Sequence, residues 1–126
     1  MWVMEKKSVV LFCRCKANII SSESMEKIAA GLKNFDTNVY ELQDLCALTI
    51  NEKDVLNTIG KAFQQKIIVA CYPRAIKNMF RQNGIDFGEF EVLNFRELSE
   101  EKIFAKLEND FQLKKGEARY QVQITD

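Results

Sequence analysis

Ile67-Ile68-Val69-Ala70-Cys71-Tyr72-Pro73-Arg74 decides the fold class. The stretch opens on an apolar run rich in β-branched residues, the pattern of a strand covered on both faces. Pro73 then stands where the first turn of a helix accepts a residue without an N–H. Ile76, Met79 and Phe80 follow at helical spacing, and Asn83-Gly84 supplies the residues that close a helix. A buried strand running into an amphipathic helix is one half of a β-α-β unit.

The same unit recurs on both sides. Val9-Val10-Leu11-Phe12-Cys13 reads as a second doubly buried strand. Ser21 and Ser22 offer an N-cap to a helix whose stripe is Met25, Ile28, Ala29, Leu32 and Phe35. Val39-Tyr40-Glu41-Leu42 is a shorter strand. Thr49 and Glu52 fit a capping box ahead of Val55, Leu56, Ile59 and Phe63. Phe90-Glu91-Val92-Leu93 is a fourth strand, and Ser99 with Glu100 and Glu101 caps a helix facing inward through Ile103, Phe104 and Leu107. Phe87, Phe90 and Phe95 read as core. This alternation predicts an α/β fold: a three-layer, doubly wound Rossmann- or flavodoxin-like sandwich with a four-stranded parallel sheet of order about 2-1-3-4. Tyr120, Val122 and Ile124 alternate with polar residues, which reads as an added C-terminal edge strand or a homodimer contact through the tail. The 126 residues are expected to form one domain, with a core at about 8–108 and an extension over 109–126.

Composition excludes several function classes. Lys+Arg and Asp+Glu both number 18, so the formal net charge is zero. Nucleic acid and anionic membranes select a basic surplus, and neither partner is expected. Histidine is absent, which removes His-based triads and His metal ligands. No Gly-rich phosphate loop follows a strand. No apolar run approaches the ~18 residues of a membrane span, and the start lacks the pattern of a secretory signal. A cytoplasmic protein with reduced thiols is expected.

The four cysteines carry the chemistry. Cys13 ends the first strand, Cys15 lies just beyond it, Cys46 follows the second strand and Cys71 ends the third. All four map to the carboxyl edge of the sheet, where open α/β sheets bind ligands. Cysteine is also a good buried hydrophobe, so Cys13 and Cys71 can equally be packing. In extended chain Cys13 and Cys15 point the same way with Cα atoms about 6.6 Å apart, near the outer limit for a disulfide. That spacing suits two ligands of a polynuclear site, and a four-thiolate set is the usual complement of an iron-sulfur cluster or a structural zinc. Arg14, Lys16 and Arg74 flank the thiols and would partly offset their negative charge.

These residues resemble a known family. Val9-Val10-Leu11-Phe12-Cys13-Arg14-Cys15, then Leu45-Cys46, then Val69-Ala70-Cys71-Tyr72-Pro73-Arg74 are similar to the N-terminal domain of the flavin-binding subunit of heterodisulfide reductase. That domain carries a strand ending in Cys-x-Cys, a later Leu-Cys and an Ala-Cys-x-Pro-Arg turn. Phe80-Arg81 and Leu93-Asn94-Phe95-Arg96-Glu97 resemble its later segments, so the likeness spans roughly residues 8–108. More distantly, the pattern is similar to the small iron-sulfur subunit that partners these reductases in hydrogenase complexes. The resemblance implies a cubane iron-sulfur (4Fe-4S) cluster held by Cys13, Cys15, Cys46 and Cys71. It implies an electron-transfer module acting with a redox partner, either a flavoprotein or an iron-sulfur protein. Arg74 and Arg96 match the family's turn and post-strand arginines. Lys16 stands where the family has Gly, and the flavin-binding fingerprint of its longer members is missing, so no flavin is expected and the chain reads as a detached or shortened member. Three other readings stay open: a cluster-less scaffold that binds a partner, a dithiol redox domain, and a zinc domain. Aerobic production can also leave zinc or an empty site.

Overall fold

The doubly buried apolar runs become neighbouring parallel strands at the centre of a five-stranded sheet. A computed structural model describes residues 8–13, 22–42, 53–70, 73–85 and 87–123. The strands are β1 (Ser8–Cys13), β2 (Asn38–Leu42), β3 (Gln65–Ala70), β4 (Glu91–Asn94) and β5 (Arg119–Gln123). The helices are α1 (Ser22–Leu32), α2 (Lys53–Ala62), α3 (Pro73–Gln82) and α4 (Glu100–Asn109). The sheet order is β4-β3-β1-β2-β5 and every pairing is parallel.

Strand alternation divides the core in two. Val10, Phe12, Val39, Ile67, Val69 and Leu93 face α1 and α4, through Ile28, Leu32, Ile103 and Leu107. Val9, Leu11, Cys13, Leu42, Ile68 and Ala70 face α2 and α3, through Leu56, Ile59, Ile76 and Phe80. Helices on both faces explain why β1 and β3 carry no polar alternation over their length.

Local signals act where the chain places them. Ser99 caps α4, its Oγ accepting from the Lys102 N–H at 3.3 Å. Helix α3 ends in a Schellman turn: Gly84 at φ +65° donates to the Arg81 carbonyl, and Ile85 to that of Phe80. Ile85 and Phe80 then pack in the same apolar cluster.

The sheet differs from the expected one in strand count and therefore in full order. Strands one to four keep the expected neighbours. A fifth strand lies outside β2, with Asn38 opposite Arg119 and Glu41 opposite Val122. To reach that edge the chain passes the amino ends of the strands. The Phe111 carbonyl accepts from Gln65 Nε2 at 3.2 Å, and the Asp36 N–H donates to the Lys114 carbonyl at 2.8 Å. Leu113 is buried on the way. The extra strand pairs the otherwise open edge of β2 and brings the Tyr120 hydroxyl to the buried Glu41 carboxylate. Two other boundaries move. Phe35 lies beyond the end of α1, in a bridge to Lys115, yet is fully buried. Phe90 precedes β4 rather than opening it.

Helices α1 and α4 meet at Gly31. A Cβ there would collide with the Phe104 ring tip, and that ring lies tilted with its centroid 6.2 Å from that of Phe35. Gly31→Ala gains about 0.5–1 kcal/mol of helix propensity, but displacing the ring costs about 1–3 kcal/mol. We expect a net loss on thermal melting. In a Phe104→Ala background the same change should stabilise, and a loss there too would show that Phe104 is not the obstacle.

Candidate functional site

The carboxyl edge is built by three strands that end side by side. Cys13, the last residue of β1, pairs with Leu42, the last of β2. On the other side Phe12 pairs with Val69, one residue before the end of β3. Helix α1 follows β1 on one face of the sheet, whereas α3 follows β3 on the other. Adjacent strands whose following helices lie on opposite faces mark the position where open α/β sheets bind ligands. Cys13 ends one of these two strands, and Ala70, the residue before Cys71, ends the other.

Cys13 is 7% exposed and packs on the α2/α3 side with Val9, Leu11, Leu42 and Ala70. Cys15, Cys46 and Cys71 lie outside the described residues, as do Arg14 and Lys16. Among the described residues no three Cys, Asp or Glu side chains gather as a metal-holding group. Arg74 is the second residue of α3, so its backbone sits beside the end of β3. Arg96 is exposed in the turn after β4, where its N–H donates to Asn94 Oδ1 at 3.0 Å. The backbone thus brings Cys13, Arg74 and Arg96 to one end of the sheet.

Two buried charged residues were not visible as site candidates in the sequence. Glu41, 6% exposed near the end of β2, accepts a short hydrogen bond from the Tyr120 hydroxyl on β5. Lys66, buried at the opposite end of β3, donates from Nζ to the Gly60 carbonyl at 3.0 Å and lies 5.6 Å from the Phe87 ring centroid. Charged side chains are rarely buried without a partner, and both of these have one. Their partners come from distant sequence, so no local pattern announces them.

No helix among the described residues is long and apolar enough to cross a membrane. No family model matches the chain, and no curated protein or solved structure is significantly similar to it.

Proposed function

We propose that this chain is an electron-transfer module of doubly wound, flavodoxin-like build that holds an iron-sulfur cluster on Cys13, Cys15, Cys46 and Cys71. The observation that carries the reading is the common edge at which β1, β2 and β3 end. Cys13 is itself a strand end, Cys71 is the residue after Ala70, Cys15 is two residues past Cys13, and Cys46 is four past Leu42. Neighbouring strands lie about 4.8 Å apart and each residue reaches about 3.8 Å, so these tethers allow all four sulfurs to meet. Four thiols fit a cubane cluster or one tetrahedral zinc. The cluster would supply one-electron storage, and a flavoprotein or iron-sulfur protein would be the donor or acceptor. Arg14, Lys16, Arg74 and Arg96 would offset the charge of a thiolate-ligated cluster. The likeness to the N-terminal domain of the flavin-binding subunit of heterodisulfide reductase supports the same assignment.

Anaerobic reconstitution of the purified chain with ferrous iron and sulfide tests it. The expected product is brown, binds about four irons and four sulfides per chain, and gives a reducible cluster signal by electron paramagnetic resonance. A colourless, iron-free protein would overturn the reading, and a single tightly held zinc would replace it with a structural site.

A second reading is favoured by the burial of Cys13 in an apolar cluster. There the thiol is a packing residue, and the chain is a scaffold that binds a partner without a metal.

A further inference from the structure

We propose that the free edge of β4 receives an extended, lysine- or arginine-bearing segment of a partner protein as a sixth strand. This inference is independent of the cluster. Among the described residues β4 has a neighbour only on its β3 side. The Phe95 N–H donates to the Ala70 carbonyl, so by strand alternation the N–H groups of Val92 and Asn94 point to the open side. A groove of about 460 Å³ runs along β4 beside α4, and a second of about 580 Å³ opens at the amino ends of β3 and β4; they share Glu91 and Phe111 as lining. Phe90 and Val92 are half-exposed on the α2/α3 face, and Leu98 and Phe111 on the α1/α4 face, so both sides of the edge offer apolar contact.

Charge selects the occupant. Glu89, Glu91 and Glu97 are exposed along the grooves with no ion pair among the described residues. Lys106 is held by Asp110 at 3.4 Å, and Lys66 is buried on the Gly60 carbonyl. Lys77 is then the one exposed cation among the groove residues without such a contact. A cationic strand gains main-chain hydrogen bonds from β4, apolar contact with Phe90 and Phe111, and ion pairs with the carboxylates.

A capped heptapeptide of alternating lysine and valine is the probe, titrated into isotope-labelled protein by NMR. A peptide of equal charge with proline in place of valine is the control. The expected result is amide shifts centred on Val92, Asn94 and Glu97, with affinity at least about tenfold above the control. Val92→Pro removes an outward N–H, which an edge strand tolerates, together with a half-buried side chain, and should abolish binding while the protein stays folded by circular dichroism. The surface pair Glu91→Lys with Glu97→Lys should weaken it about tenfold. Equal binding of both peptides, shifts elsewhere, undiminished binding by the charge-reversed protein, or dimerisation of the protein alone through these amides would each overturn the proposal.

Discussion

A chain shortened to end at Asn109 should lose its cooperative melting transition. The segment it lacks is woven into the domain along the amino ends of the strands and the outer edge of β2. Leu113 is buried in the α1/α4 cluster, and its N–H donates to the Leu107 carbonyl. Gly116 and Ala118 donate to the carbonyls of Asn34 and Lys33, tying the segment to the end of α1. Lys115 Nζ lies 4.6 Å from the Phe35 ring centroid, and β5 pairs with β2 over its full length. Truncation removes Leu113 and uncovers Phe35 and Val39, both essentially inaccessible in the intact chain. At about 1.5–3 kcal/mol for each large apolar side chain fully returned to water, the loss is up to roughly 4.5–9 kcal/mol. That is comparable with the ~5–15 kcal/mol that holds a domain of this size together. Urea and thermal unfolding followed by circular dichroism measure it. Two point variants divide the effect: Leu113→Ala should cost about 2–5 kcal/mol, and Tyr120→Phe, which leaves the Glu41 carboxylate without that donor, about 1–3 kcal/mol. A truncated chain that melts within a few degrees of the parent would show that β2 is a competent edge alone.

What the sequence discloses here depends on how local the cause is. The strands β1 and β3 are legible because a strand covered on both faces must be apolar at consecutive positions. Helix α3 is legible because Pro73 and Gly84 punctuate it. Phe35 misleads, because its spacing continues the α1 stripe past the point where the helix has ended; the turn at Lys33-Asn34 still delivers the ring to the same core. The tail shows only weak alternation at Tyr120 and Val122. Its position beside β2 is set by a crossing under the amino ends of the sheet, with partners such as Gln65 and Asp36 far away in sequence. Nothing local marks Glu41 and Lys66 as buried, for the same reason: the Tyr120 hydroxyl and the Phe87 ring that accompany them arrive from remote elements. Of the candidate metal ligands, Cys13 stands where its sequence position put it, at the end of a strand. That the other three converge on it is our proposal, supported by the common strand ends.

Cys13→Ala is the substitution that separates ligation from packing. In the metal-free chain the two readings agree: a small buried side chain loses one sulfur, and the cost is about 1 kcal/mol, the usual size of a single core truncation. Cys13→Ser should be the worse of the pair in that state, because a hydroxyl costs more than a methyl to bring into the apolar cluster of Leu11, Leu42 and Ala70. After anaerobic reconstitution the readings part. A ligand that binds only the folded chain adds about 2.7 kcal/mol when present at a hundred times its dissociation constant, so the loaded parent should melt several degrees higher. Removing one of four thiolates should take iron from about four per chain to a small fraction of that, and the melting gain should vanish with it in both variants. If Cys13 only packs, iron content is the same in parent and variants, and the alanine-over-serine order persists whether or not iron and sulfide have been added. Melting and iron content measured on the same samples therefore distinguish a thiol that fills space from one that holds a cluster, even though its burial is identical in the two cases.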